Sequence, residues 1–248
     1  MVNILLVSHS KNLADGVAEL VRQMAPSESL KIRVAAGIGE DHQDLGTNAV
    51  EIMEALTELH SPDGVLILMD LGSAVLSTEM ALDMLDDEVK ANVRMCPAPF
   101  VEGAIAAGVQ ANMGSNLDTV YQEAMGALRA KQEQVAPGTS QPQAKTLVQE
   151  ESPASGLDVV EVLLTVPNES GLHARPAALF AKTIGSYKAK VSVTNLSENK
   201  GPIVINGLIA VMLLGARKGH KLKIQAEGDQ KEEVVSALKE LFASNFGE

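Results

Sequence analysis

Along residues 1–130, short unbroken apolar runs alternate with stretches of helical spacing. Ile4–Val7 is apolar on successive positions, and Asn3–Val7 predicts a buried strand. Lys11 to Met24 follows with Val17, Leu20, Val21 and Met24 placed for one helix face. Lys31–Ala35 predicts a second strand, and Ala36-Gly37-Ile38-Gly39 a flexible loop. The next helix is expected to take Thr47 as its N-cap and to turn Val50, Met53 and Leu56 inward. Gly64–Met69 is wholly apolar between Asp63 and Asp70, the pattern of a central parallel strand. Ser73 is the expected cap of a helix running to about Leu85. A strand at Val93–Cys96 and helices near Val101–Ala111 and Leu117–Gln134 complete an α/β unit, an open and mostly parallel sheet with flanking helices.

The pattern breaks over residues 131–156, where Pro137-Gly138, Pro142, Pro153 and Gly156 sit among Gln, Ser, Ala and Glu with no sustained period. That composition predicts a flexible linker, which as a coil would span on the order of 30 Å. Residues 157–248 resume with strands at Val159–Pro167, Lys190–Asn195, Pro202–Ile205 and Lys221–Glu227. Helices are expected at Ala174–Ile184, near Leu208–Leu214, and over Gln230–Phe242 with Val234, Val235, Leu238 and Leu241 on one face. Four strands and three helices in so short a span predict an α+β open-faced sandwich.

Composition narrows the functional classes. Aromatics make up only 2% of the 248 residues, and Trp is absent. The core must therefore be aliphatic, and base-stacking platforms are missing. Net charge is -12, and residues 1–130 carry 19 Asp and Glu against 7 Lys and Arg. An acidic unit is joined to a near-neutral one, for solubility or for steering between surfaces; the sign of charge argues against nucleic acid. Cys96 is the single cysteine, so an internal disulfide is impossible and a reducing compartment is the simpler expectation. The opening residues lack a basic leader, and no apolar run approaches the ~20 residues of a membrane span. A cytoplasmic location without membrane attachment is expected.

The strongest chemical signal is Ser170-Gly171-Leu172-His173-Ala174-Arg175-Pro176-Ala177. Gly171 allows a sharp turn, and Pro176 is tolerated only in a first helical turn. A helix that begins after His173 sets the free amides of Ala174 and Arg175 beside the imidazole, at the positive end of the helix dipole. A phosphoryl group on His173 would meet those donors and the Arg175 guanidinium together. An imidazole with an ordinary pKa of ~6.5 is mostly neutral and nucleophilic near neutral pH.

A second candidate, His9, follows the first strand between Ser8 and Ser10. Ligands of open α/β sheets bind at the carboxyl ends of strands. Two other strand ends offer partners there: the Ala36–Gly39 loop, and Asp70-Leu71-Gly72-Ser73. Asp70 is placed to fix the tautomer of His9, with Ser73 and the amides around Gly72 available for phosphoryl oxygens. Other signals are weaker. His42, His60 and His220 lack metal-ligand spacing and read as solvated surface residues; no metal or other cofactor is expected. Met69, Met80, Met84 and Met95 read as core fillers. Asp83, Asp86, Asp87 and Glu88 read as a solvated helix end or, less simply, a docking surface. No Gly-x-x-x-x-Gly-Lys-Ser/Thr loop is present, so ATP binding by that route is not expected.

The Gly-Leu-His-Ala-Arg-Pro-Ala string resembles the active-site signature of HPr, the histidine phosphocarrier of the bacterial phosphotransferase system, and the likeness extends over residues 157–248. It implies phosphorylation of His173 at Nδ1 with Arg175 assisting. One departure is Gly207, after Asn206, where many HPr proteins carry a regulatory serine. Ser-His-Ser, Ala-Ala-Gly-Ile-Gly, Met-Asp-Leu-Gly-Ser-Ala-Val-Leu-Ser and Ala-Pro-Phe-Val-Glu-Gly-Ala resemble the phosphotransfer subunit of phosphoenolpyruvate-dependent dihydroxyacetone kinases, whose first domain is similar to the mannose-type IIA component. That resemblance implies phosphate on Nε2 of His9 with Asp70 and Ser73 beside it, and a homodimer through the N-terminal domain. It also implies a relay from Enzyme I through His173 and His9 to ADP on a kinase subunit. A mannose-type IIA–HPr component of sugar uptake, or a regulatory phosphoprotein, remain the alternatives.

Overall fold

Two separate four-stranded sheets, one parallel and one antiparallel, organise the computed structural model, which describes residues 1–135 and 159–247. They belong to two units, Met1–Leu128 and Arg129–Glu248.

In the first unit the strands are β1 (Asn3–Ser8), β2 (Ile32–Ala36), β3 (Val65–Met69) and β4 (Val93–Cys96). They lie in the order β2-β1-β3-β4, parallel throughout. The helices are α1 (Lys11–Met24), α2 (Ala49–Leu59), α3 (Gly72–Asp83), the one-turn α4 (Asp87–Lys90), α5 (Phe100–Asn112) and α6 (Leu117–Val135). Successive side chains of a strand point to opposite faces. Leu5, Val7, Val65 and Ile67 accordingly join Ile52, Leu56 and Leu59 of α2 and Ala74 and Ala81 of α3 in one core. The alternate positions Ile4, Leu6, Leu66 and Leu68 are equally buried, and α1 and α5 pack together as a separate pair. Burial on both faces is why these strands read as unbroken apolar runs. β1 pairs with β2 on one side and β3 on the other, so the chain reverses its winding direction between β1 and β3. The carboxyl ends of those two strands frame the crevice where such sheets bind ligands.

Several local expectations are corrected. In α1 the buried face is Ala14, Val17, Ala18 and Val21, while Leu20 is exposed. Small alanines let α1 approach α5 closely, and Gly108 of α5 leaves no room for a Cβ against Val21. Asn48, not Thr47, caps α2 by accepting from the Val50 amide at 3.0 Å; Val50 itself is exposed. Thr47 is instead hydrogen-bonded to Ser77 of α3 at 2.7 Å. Ser73 is not the cap of α3, whose N-cap is Leu71 without a side-chain bond. Met80 and Met84 are exposed on or just beyond α3 rather than filling the core, although Met69 is buried. α6 runs to Val135, one residue past its expected end at Gln134 and over the first five positions assigned to the linker; residues 136–156 of that linker lie outside the described residues.

In the second unit β5 (Val160–Thr165), β6 (Lys190–Asn195), β7 (Lys200–Val204) and β8 (Lys221–Glu227) form an antiparallel sheet in the order β5-β8-β6-β7. α7 (Ala174–Gly185), α8 (Leu208–Leu213) and α9 (Lys231–Ala243) complete it, with α9 packed on β5 and β8 and α7 packed against both α8 and α9. Burial alternates along β6 and β8, as it does for a sheet covered on one face. The open-faced α+β sandwich is present as expected. On the last turn of α9 Phe242 is buried in place of Leu241, packed between Phe180 and Phe246. His220 is not a free surface group: its Nδ1 lies 3.2 Å from the amide of buried Asn195.

Candidate functional site

The parallel register of β1 and β3 sets Val7 beside Met69, so the residues that follow each strand emerge side by side. His9 and Asp70 meet there. The Asp70 carboxylate accepts four hydrogen bonds. Its Oδ2 takes the Ser8 hydroxyl at 2.8 Å and the His9 amide at 2.9 Å. Its Oδ1 takes His9 Nδ1 at 2.9 Å and the Leu71 amide at 2.6 Å. Burial alone would raise the Asp70 pKa, but these donors outweigh it and hold the carboxyl below its ordinary value of 3.8. An ionised Asp70 keeps the proton of neutral His9 on Nδ1. Nε2 then carries the lone pair, and it lies 2.5 Å from the Ser73 hydroxyl.

Around that edge the backbone offers positive charge. Gly72 and Ser73 are the first two residues of α3, whose amides have no intrahelical acceptor. With the helix dipole they set a partial positive charge at the helix end that carries Ser73. A Cβ added at Gly72 would meet nothing within 4 Å, so no neighbouring side chain covers that position. The His9 side chain is 20% exposed and that of Asp70 9%, so the ring is partly reachable from solvent while the carboxylate is shielded.

The loop after β2, expected to be flexible, is tied to the site. Gly46 donates to the His9 carbonyl at 3.0 Å, and Gly37 to the Ser8 carbonyl at 3.3 Å. Ile38 and Asp44 bridge across the loop. Gly37 has φ +78°, and a Cβ there would run into the His42 backbone, which explains a glycine at this position. Ser8, which the sequence pattern does not single out, joins the site: its hydroxyl accepts from the Ser10 amide at 3.1 Å while donating to Asp70. Because every residue of β1 is buried, strand parity gave no sign of where Ser8 points.

The second candidate lies wholly in the other unit. His173 is the N-cap of α7, and its amide donates to the Gly171 carbonyl at 2.9 Å. Ala174 and Arg175 are therefore the first two helical residues; Arg175 is exposed, and Pro176 and Ala177 are buried beneath the turn. Gly171 has φ +70° and rests against the Ala216–Arg217 backbone, while the Leu172 amide donates to the Ala216 carbonyl at 2.8 Å. Gly207 is the N-cap of α8 and provides no hydroxyl there. Elsewhere, Cys96 is buried and its thiol pKa is pushed up by desolvation, an unreactive setting. No helix among the described residues is long and apolar enough to cross a membrane.

Comparison with known proteins assigns both units. Residues 3–121 match the family model EIIA-man, "PTS system fructose IIA component". Residues 160–244 match PTS-HPr, "PTS HPr component phosphorylation site". The phosphoryl donor subunit DhaM of the PEP-dependent dihydroxyacetone kinase of Escherichia coli (strain K12) is 40% identical over 248 residues, covering 100% of this chain and 51% of that protein. A DhaM subunit from Listeria innocua serovar 6a is 35% identical over 123 residues, covering 50% of this chain and 96% of that protein. A solved structure of HPr from Thermoanaerobacter tengcongensis is 39% identical, covers 36% of this chain and 97% of its own, and has a TM-score of 0.34. The chain spans about half the length of the curated relatives it matches from end to end.

Proposed function

From the premise that the chain belongs to the family of DhaM phosphoryl donor subunits, we propose that it is a cytoplasmic phosphohistidine relay serving a dihydroxyacetone kinase. Enzyme I, or a separate HPr, charged from phosphoenolpyruvate supplies the phosphoryl group. The donor's P–N bond breaks as a bond to His173 Nδ1 forms. That bond then breaks as His9 Nε2 takes the phosphorus, and ADP on the kinase subunit finally receives the group through a terminal oxygen to become ATP, which leaves His9 free. Each step is an in-line displacement in which the protein contributes positioning and charge stabilisation.

The observation that carries this reading is the His9–Asp70 contact at 2.9 Å. As Nε2 gives its lone pair to phosphorus, positive charge grows on the ring, and it grows at Nδ1–H beside the carboxylate. Ser73 and the amides that open α3 meet the incoming negative oxygens on the other edge. A homodimer through the first unit belongs to the same reading, and the exposed Leu76, Met80 and Met84, four residues apart, support it as an unpartnered apolar stripe.

The test is reconstitution. The chain is mixed with Enzyme I, labelled phosphoenolpyruvate and an ADP-loaded dihydroxyacetone kinase subunit. Dihydroxyacetone phosphate should form, and a His9→Ala variant should retain acid-labile label on His173 alone while turnover stops. Turnover that survives His9→Ala would remove His9 from the relay.

A further inference from the structure

Residues 159–247 contain two arginines, Arg175 and Arg217. Both are exposed, and neither pairs with a carboxylate among the described residues. Arg175 is the second residue of α7, directly after His173. Arg217 is 42 positions further along the chain, in the loop between α8 and β8, yet the fold returns it to the same turn. The Leu172 amide donates to the Ala216 carbonyl at 2.8 Å. A Cβ added to Gly171 would lie 2.7 Å from the Arg217 Cα. The backbone of Ala216 and Arg217 thus rests directly on the two residues that precede His173.

The loop holding Arg217 is fixed on both sides. Gly215 donates to the Met212 carbonyl at 3.1 Å, Gly219 to Val166 at 2.9 Å, and His220 to the Arg217 carbonyl at 3.0 Å. Its neighbour Lys218 is engaged with Glu169, which ties this loop to the one leading into Gly171. Of these two adjacent cations, Lys218 holds the loops together, while Arg217 has its Cα against the carrier turn and its side chain exposed. A phosphoryl group on an imidazole carries close to two negative charges and three acceptor oxygens. The amides that open α7 and the Arg175 guanidinium come from one helix end, and a dianion with three acceptor oxygens has capacity for a further donor from another segment. A guanidinium forks onto two oxygens at once, and a pinned backbone lowers the ordering cost of presenting it.

We propose that Arg217 is a second guanidinium for the phosphoryl group on His173, closing on it from the α8–β8 loop opposite Arg175. The proposal rests on the phosphocarrier reading of His173. It calls for no further co-reactant, because Arg217 binds oxygens and forms no covalent bond.

The experiment uses the full chain carrying His9→Ala, so that label stays on His173, charged with Enzyme I and phosphoenolpyruvate. Charging kinetics and the phosphorus NMR titration of the phosphohistidine are compared for the parent, Arg217→Ala, Arg217→Lys and Arg175→Ala. Arg217→Ala should slow kcat for charging about tenfold with little change in KM, the worth of one exposed charge-assisted hydrogen bond. It should also shift the phosphoryl titration to higher pH, since a nearby cation favours the dianion. Arg217→Lys should recover part of both effects, a rescue that a packing role would not show. An unmoved phosphorus titration in Arg217→Ala overturns the proposal, including the case in which KM alone rises and Arg217 serves only donor docking. A parent that takes up no label overturns the carrier reading itself, before any arginine is compared.

Discussion

A carboxylate that accepts two amides, a hydroxyl and an imidazole N–H, as Asp70 does, is committed to its ionised form. Replacing it by asparagine keeps the size but removes the charge and sets an NH2 against at least one of these donors. Asp70→Asn should therefore slow phosphoryl uptake by His9 on the order of 10²-fold. Stopped-flow transfer from labelled His173 measures this, and an unaltered rate would reduce Asp70 to a structural group. The pH dependence has a defined sign. Because the folded pKa lies below 3.8, the stability that Asp70 contributes is fully present above that value and is lost as pH falls through the lower folded one. A carbon NMR titration should place its midpoint below 3.8, with no Asp70-linked change between pH 7 and pH 5. Residue types at this scale are readable in the sequence: His9 and Asp70 directly follow β1 and β3, and Ser73 stands in the first turn of the next helix. Ser8 was not, because its role depends on which way a fully buried strand turns its hydroxyl.

Elements were legible where a single periodicity dominated and blurred where neighbours decided. β4, β6, β8 and α1 fall where the apolar pattern puts them, at Val93–Cys96, Lys190–Asn195, Lys221–Glu227 and Lys11–Met24. Caps were harder, since Thr47, Asn48 and Ser73 are all competent acceptors, and only the path of the chain selects among them. Thr47 is drawn to Ser77 and Ser73 to His9, which leaves Asn48 for α2 and no side-chain cap for α3. The turn ahead of α7 is the element with least tolerance. Gly171 is in the left-handed region, and an added Cβ would meet the Ala216 carbonyl and lie 2.7 Å from the Arg217 Cα. Gly171→Ala should cost the second unit about 1–3 kcal/mol, read by urea denaturation, and should lower His173 charging in parallel. A variant with wild-type stability would mean that the loop yields without strain.

At the scale of the molecule, each unit buries a core of its own, one aliphatic between a sheet and two helix layers, the other anchored by aromatics. Phe180, Phe242 and Phe246 form the latter cluster, with ring centroids 5.8 and 5.0 Å apart along the chain of contacts. Phe180 is fully buried, and Phe180→Ala should cost roughly 3–5 kcal/mol. Calorimetry of the whole chain should resolve two transitions, with that substitution lowering one and leaving the other in place. A shift of both by the same amount would show that the units unfold as one.

What the amino-acid order settled alone was periodicity and local chemistry. It fixed two units of different sheet type, a glycine turn leading into the His173 helix, and acceptors and donors at the ends of β1 and β3. These follow from neighbours a few positions apart, where spacing dictates which face a residue takes. Only the folded chain decided contacts between distant segments. The register of β1 on β3 brings His9 within 2.9 Å of Asp70, 61 positions away, and the return of the α8–β8 loop sets Arg217 against Gly171. The two strand ends already offered His9 with Asp70 as an expectation, but no spacing pointed from Arg217 to Gly171, because strand order and loop closure determine which ends meet.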